Sequence, residues 1–425
     1  MDRRRASQNR GHERTYRSAA SPEKHGGTPD GSGPRTSPSI GTSTPARTRA
    51  SGDGIELTAA AAVELGRGHP WVWRKSIAAH SLDRVTRAAA GDDVLLFAPD
   101  GNVVGRGLVD PDSPIAVRVW TTDAARAIDA ALIDERVERA FDLRTRIVGD
   151  DTTAYRLLHG EGDRTPGIVV DRYADVAVLR LDGDAVRAKR DVIVAAIAPL
   201  LKARGVGTLL QRGRADETVV LFGALPSAPL RVTEHGVPFV ADVVRGQKTG
   251  AFLDQRENRR RVGAMAKGKS VLNLFSYAGG FSLHAALGGA TKVTSVDVAA
   301  AAHVTAQQSF KAADVDPRAH EFVTADAFAF LENAKKQGKS WNVVVCDPPS
   351  FAPNEKSKER ALAAYRSLHR ACAAVLANGG TFCAASCSSH VDAKTFVTTL
   401  DDAALGRSDL RIVAVHGAPA DHPIL

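Results

Sequence analysis

Apolar positions in the last third of this chain come in short unbroken runs. VLNLF (271–275), KVTSVD (292–297), EFVTA (321–325), WNVVVC (341–346), GTFCAAS (380–386) and LRIVAV (410–415) are separated by Ala-rich stretches of helical spacing. Runs of that length between helices predict a parallel sheet of βαβ units with six strands. A helix is expected over 358–377, capped by Asn378, Gly379 and Gly380. Nearer the start the rhythm differs. VLLFAPDGNVVGRGL and IAVRVW are strand-like and broken by Asp-Gly and Pro turns, which predicts a small β-rich module from Gly54 to about Trp120. Leu132, Val137, Phe141 and Leu143, set among acids and arginines, predict an amphipathic helix over 127–148. GIVVDRY, VAVLRL, a helix over 184–203, GTLLQR and TVVLFG then make a mixed α+β segment, and EHGVPFVADVVRGQ carries a hairpin signal. The expected divisions are a tail (1–52), a β-rich domain (53–125), a central α+β domain (126–232) and an α/β domain (233–425).

Composition changes this picture mainly at the N-terminus. Net charge is +8, but residues 1–50 hold ten Lys/Arg against four Asp/Glu, so the body is only mildly basic. The tail is rich in Ser, Thr, Gly, Pro and Arg with few large aliphatics. It is expected to be disordered, either holding RNA loosely through phosphates or only solubilising the chain. No apolar run approaches the roughly 20 residues of a membrane span, and the first residues lack the apolar core of a signal peptide, so a cytoplasmic location is expected. The four cysteines, 346, 372, 383 and 387, contain no CxxC pair. Neither a disulfide framework nor a metal site is indicated.

Chemistry concentrates at the ends of the apolar runs. VVVCDPPSF (343–351) reads as a strand that delivers Asp347 and stops at two prolines, which can neither continue a ladder nor enter a helix interior. Such a rigid turn suits an acid facing a planar base, though it is also an ordinary strand end. In NLFSYAGGFSLHAAL, Gly279 and Gly280 open a helix whose N-terminus favours a carboxylate, a cofactor loop without the full G-x-G-x-x-G fingerprint. Asp297 ends the second run and can accept from a ribose diol, and Asp326 ends the third beside a would-be adenine. Each is equally a helix N-cap. GQKTG (246–250) lacks the spacing of a phosphate loop, so nucleotide hydrolysis is disfavoured. Cys387 lies 40 residues beyond Asp347, at the end of the next run. A thiol there can add to carbon 6 of a cytosine and activate carbon 5, whereas Cys346, Cys372 and Cys383 read as small buried hydrophobes.

Together these segments resemble the class I S-adenosylmethionine-dependent methyltransferases of large-subunit ribosomal RNA that carry an N-terminal PUA-like domain, in their cytosine-C5 branch. The marks are GRGHPWVWRKSI, GRGLVDPDSPIAVRVW, YRLLHGEGDRTPGIVVDRYADV, GQKTGAFLDQRENRR, NLFSYAGGFS, SVD, ADAF, DPPSFA and SCSSHV, spread over residues 54–425. The resemblance implies a Rossmann-like catalytic sheet behind a PUA-like domain and a central α+β domain. It implies S-adenosylmethionine as cofactor, 23S-type ribosomal RNA as partner, and a central domain that helps the PUA-like module grip RNA. Phe275, Ser276, Tyr277, Gly279, Asp297, Asp326 and Asp347 would line the cofactor pocket, with Asp254 and Arg256 near it. Cys387 would be the nucleophile, Asp347 would orient the base, and Pro348 and Phe351 would meet the substrate, Phe351 by stacking or as core. Asn273 stands where methyltransferases often carry an acid. The chain stops at HPIL where relatives continue through a final strand, which is therefore expected to be missing. Two rivals stay open: methylation of an exocyclic amine, such as guanine N2, which needs no thiol, and a non-catalytic RNA-binding or ribosome-assembly protein.

Overall fold

The computed structural model describes residues 54–213, 217–352 and 354–425, so the basic tail lies outside the described residues. The first sheet joins β1 (Gly54–Glu56), β2 (Trp71–Trp73), β3 (Asp93–Phe97), β4 (Val103–Val109) and β5 (Ile115–Thr121) in the order β1-β3-β4-β5-β2. Two short helices, α1 (Ala59–Gly66) and α2 (Leu82–Arg87), close its core of Ile55, Leu57, Val85, Leu96 and Val117.

The second sheet runs β10-β9-β8-β7-β6, from β6 (Ala154–His159), β7 (Ile168–Tyr173), β8 (Val176–Leu181), β9 (Thr208–Arg212) and β10 (Thr218–Phe222). Only β8 and β9 pair in parallel, because a helical crossover links them; the other pairs of this sheet are antiparallel. α3 (Ala130–Ile147), capped by Asp129 on Leu132 N, lays Leu132, Val137 and Phe141 on this sheet. The helix expected over 184–203 is two, α4 (Asp184–Ala188) and α5 (Arg190–Ala203), with the break at Lys189. A hairpin, β11 (Leu230–Glu234) and β12 (Val237–Ala241), follows. Its two turn residues, His235 and Gly236, both have positive φ (49° and 73°), the twist that suits a two-residue hairpin.

The third sheet carries α6 (Arg256–Met265), β13 (Ser270–Leu274), α7 (Gly280–Leu287), β14 (Lys292–Asp297), α8 (Ala300–Ala312), β15 (Glu321–Thr324), α9 (Ala327–Lys336), β16 (Trp341–Cys346), α10 (Lys358–Ala374), β17 (Leu376–Ala384), α11 (Ala393–Val397) and α12 (Asp402–Leu405). All its pairings are parallel, in the order β15-β14-β13-β16-β17. Leu272, Leu274, Val344 and Cys346 face one layer with Leu331 and Leu368, while Val271, Val343 and Val345 face the other with Val262 and Phe281. Both faces are covered, which is why these strands are apolar without alternation. Each such buried side chain contributes about 1.5–3 kcal/mol.

Two expectations fail here. The Asn378-Gly379-Gly380 stretch is not a helix cap: α10 ends at Ala374, and Leu376–Gly380 already belongs to β17. The extra residues form a bulge, since Trp341 pairs with Leu376 but Val343 with Thr381, and Gly379 supplies the left-handed φ of 69°. The sheet has five strands, not six. Residues 410–415 form no strand, and Ile412, Val413 and Val415 are exposed. Alternation makes a strand only where a neighbouring edge accepts its ladder, and no such pairing occurs among the described residues. Residues 417–425 instead return to the second sheet, where Asp421 is fully buried. Arg256 clasps its carboxylate with two 2.9 Å bonds, Arg156 N donates to it at 2.9 Å, and Arg144 donates to its carbonyl at 2.7 Å.

Candidate active site

Strand register brings the predicted residues to one edge. Leu274 pairs with both Val296 and Cys346, so Phe275, Asp297 and Asp347 lie level at the carboxyl ends of adjacent strands. Strand order reverses between β13 and β16, the switch point at which parallel sheets open a ligand crevice. After β13 the chain turns sharply, with Phe275 and Tyr277 in the left-handed region at φ 55° and 45°. Non-glycine residues seldom hold that conformation without a functional reason. Asp297 secures the turn, accepting Tyr277 N at 2.8 Å and Ala299 N at 2.9 Å. Asp326 caps α9 through Ala329 N at 3.0 Å and is exposed. Gly279 and Gly280 make room for protein: a Cβ would come within 2.7 Å of Ala306 Cβ or of Arg259 Cδ respectively.

The Asp-Pro-Pro turn and the Cys387 loop are bolted together. Cys387 Sγ lies 3.8 Å from the Pro348 carbonyl oxygen, the geometry of a weak thiol donor. Ser388 is the bolt: its Oγ accepts Phe351 N (3.2 Å) and Ala352 N (3.3 Å) and shares a 2.9 Å bond with the Tyr365 hydroxyl, which also reaches Ser386 at 2.9 Å. Pro348 is buried, and the Phe351 ring packs on Tyr365 at 4.9 Å within the core. Burial, reinforced by the nearby Asp254, pushes Asp347 up to about 6. Burial and the Asp347 charge also raise the Cys387 thiol, against a smaller opposing pull from Lys248. Cys383, by contrast, is raised to about 11 by burial alone, and Cys346 is fully buried against Cys372.

Asp254 and Arg256 part company. Burial would raise Asp254, but the Lys248 ammonium at 2.7 Å outweighs it and holds the carboxylate below its usual range. Arg256 pairs with the buried carboxylate of Asp421. Arg259 grips Glu234 at 2.5 Å through two nitrogens, and this pair outweighs burial to bring Glu234 to about 2. Lys248 itself sits at φ 53° with its ammonium 4.3 Å from the Phe252 ring centroid. Among the described residues no group of three His, Cys, Asp or Glu is arranged to hold a metal ion, and no helix is long and apolar enough to cross a membrane.

Residues 182–423 match the family model described as S-adenosylmethionine-dependent methyltransferase, and residues 55–122 match a PUA-like domain. The chain belongs to the S-adenosylmethionine-dependent methyltransferase family. It is 36% identical over 368 residues to the ribosomal RNA large subunit methyltransferase I of Shewanella denitrificans, covering 85% of this chain and 92% of that one. A ribosomal RNA large subunit methyltransferase of Deinococcus radiodurans is 35% identical over 388 residues, covering 87% and 93%. Among solved structures, a SAM-dependent methyltransferase from Streptococcus mutans superposes with a TM-score of 0.76 at 23% identity, covering 87% of this chain and 95% of that one, and so shares the fold.

The expected fold is therefore present: a PUA-like β domain, a mixed central sheet and a Rossmann-like methyltransferase sheet. The enzyme uses S-adenosylmethionine, and the edge beside β13 fits that cofactor in one testable respect. Ser276 Oγ is buried in the strained turn with no hydrogen-bond partner, and Asp254 Oδ1 is buried and equally unpaired. Buried polar atoms are rarely left so unless a ligand or water completes them. Sequence reasoning missed Lys248, Ser388, Tyr365 and Asp421. GQKTG lacks phosphate-loop spacing and so hides Lys248, and Ser388 lies within SCSSHV, whose signal is Cys387; for Tyr365 and Asp421 no local signal exists.

Proposed function

We propose that this enzyme methylates carbon 5 of a cytosine in large-subunit ribosomal RNA, with Cys387 as covalent nucleophile. The relatives' names support the RNA class, and the PUA-like domain suits an RNA partner. One observation carries the choice of carbon: a free thiol leans on the carbonyl of the Asp-Pro-Pro turn, beside the raised carboxyl of Asp347.

S-adenosylmethionine, when bound, supplies an electrophilic methyl group. Phe275, Ser276, Tyr277, Gly279, Asp297 and Asp326 are the residues proposed to hold it, with Asp254 beside them. Cys387 Sγ, its proton passing to Asp347 or water, adds to carbon 6, opening the 5,6 double bond so that its electron pair reaches carbon 5, which takes the methyl as S-adenosylhomocysteine is released. Loss of the carbon-5 proton to Asp347 or water then restores the double bond as Sγ leaves. Asp347, near 6, can also exchange a proton with the nitrogen edge of the base. The base must be unstacked to reach this edge, and Pro348 fixes the turn that receives it.

Cys387→Ala should abolish methyl transfer to ribosomal RNA while calorimetry shows cofactor binding unchanged. RNA carrying 5-fluorocytosine, which has no carbon-5 proton to lose, should trap the native enzyme as a covalent adduct. Full methyl transfer by Cys387→Ala would instead favour methylation of an exocyclic amine.

A further inference from the structure

A cleft of about 580 Å³ opens where the turn at residues 66–70, α3 and the turn at residues 162–164 meet, and none of its lining belongs to the Asp347–Cys387 edge. Its walls present Arg67, Arg136, Arg139 and Arg164, with Asp163 as their one carboxylate. That carboxylate is already taken, since buried Arg144 holds both its oxygens at 2.6 and 2.7 Å. Arg67 and Arg139 meet only Glu64 and Glu135, each at 2.7 Å, on the exposed surface of their own helices. Exposed pairs of that kind are weak and exchange readily for a phosphate.

The cluster is also built to stay in place. Arg136 donates to the carbonyls of Trp120 and Arg164 and stands 5.6 Å over the Trp120 ring. Arg164 holds a left-handed φ of 59°, and its guanidinium reaches the Gly68 carbonyl at 3.4 Å. Trp120 Nε1 is buried without an acceptor among the described residues. Burial first, then the charge of Arg164, lowers Arg136 to about 10 against a smaller opposing pull from Glu135.

We propose that this cleft holds consecutive backbone phosphates of the substrate RNA strand, away from the base being methylated, an inference that rests on the RNA-substrate reading above. Its volume exceeds the needs of a lone phosphate, and its cations are spread over three chain segments, as suits a strand rather than a point anion. The cleft therefore sets affinity and register but leaves chemistry at Cys387 alone.

The test is Arg139→Gln/Arg164→Gln in the full chain, with a large-subunit ribosomal RNA fragment as probe. Fluorescence anisotropy should show affinity reduced on the order of tenfold near physiological salt, and a log–log salt slope shallower by about two. KM for the RNA should rise while kcat holds. Lys311→Gln/Lys335→Gln removes the same charge elsewhere, Lys335 lying in the last turn of α9 and so away from the carboxyl edge, and should change neither. Salt slopes equal to wild type in the Arg139/Arg164 variant, or an equal loss in the lysine control, would overturn the proposal. Methyl transfer by the wild type in the same assay reports separately on the RNA-substrate reading.

Discussion

Asp347→Asn should make this protein more stable at neutral pH while removing its activity. The carboxyl sits at the end of β16, where burial and the neighbouring Asp254 move it from 3.8 to about 6. An acid so raised binds its proton more tightly folded than unfolded, so the folded state loses stability as pH climbs from about 4 to about 6. Two pKa units correspond to about 3 kcal/mol, and since the side chain keeps some contact with solvent the expected gain for asparagine at pH 7.5 is about 1–3 kcal/mol. Urea unfolding of both proteins at pH 7.5 and at pH 4 measures it. The variant should lead at pH 7.5, and its lead should shrink towards pH 4, where the native carboxyl is neutral as well. A variant less stable than wild type at pH 7.5, or a lead independent of pH, would refute the reasoning. Methyl transfer should fall in either case, because asparagine cannot exchange a proton with the base.

Ser388→Ala unpairs Phe351 N and Ala352 N and frees the Cys387 loop; kcat should fall on the order of 10–100-fold with KM for RNA little changed, and Ser388→Thr should recover part of it. Steady-state kinetics separates that positioning role from a binding one. Asp421→Asn removes the two-pronged counter-charge of the buried Arg256 guanidinium, leaving it Glu257 at 3.5 Å, and should cost about 3–5 kcal/mol in urea unfolding. An Asp421→Leu/Arg256→Leu double variant should recover much of that loss, since apolar replacement of both partners removes the unpaired charge.

The catalytic sheet was legible because its evidence is local. Unbroken apolar runs of strand length between helices admit a parallel sheet covered on both faces, and the residue after each run must fall on the carboxyl edge. Asp297, Asp326, Asp347 and Cys387 could therefore be placed at strand ends without any contact being known. Whether an apolar run becomes a strand depends on a partner, and that is not local: LRIVAV is an apolar run like its neighbours yet pairs with no edge among the described residues, while LANGG reads as a helix stop yet joins β17. The same holds for charge. Arg256 gains its buried partner only when Asp421 arrives from the far end of the chain, and Lys248 gains its importance only by folding onto Asp254. The sequence by itself determined the order of the elements, the residues at the strand ends and the chemistry they could carry, because periodicity and reactive side chains act within a few residues. Only the tertiary structure decided the protonation bias of Asp347, the bolting of Cys387 to the Pro348 turn through Ser388, and the arginine cleft, because burial and charge pairing are set by segments that meet only after folding.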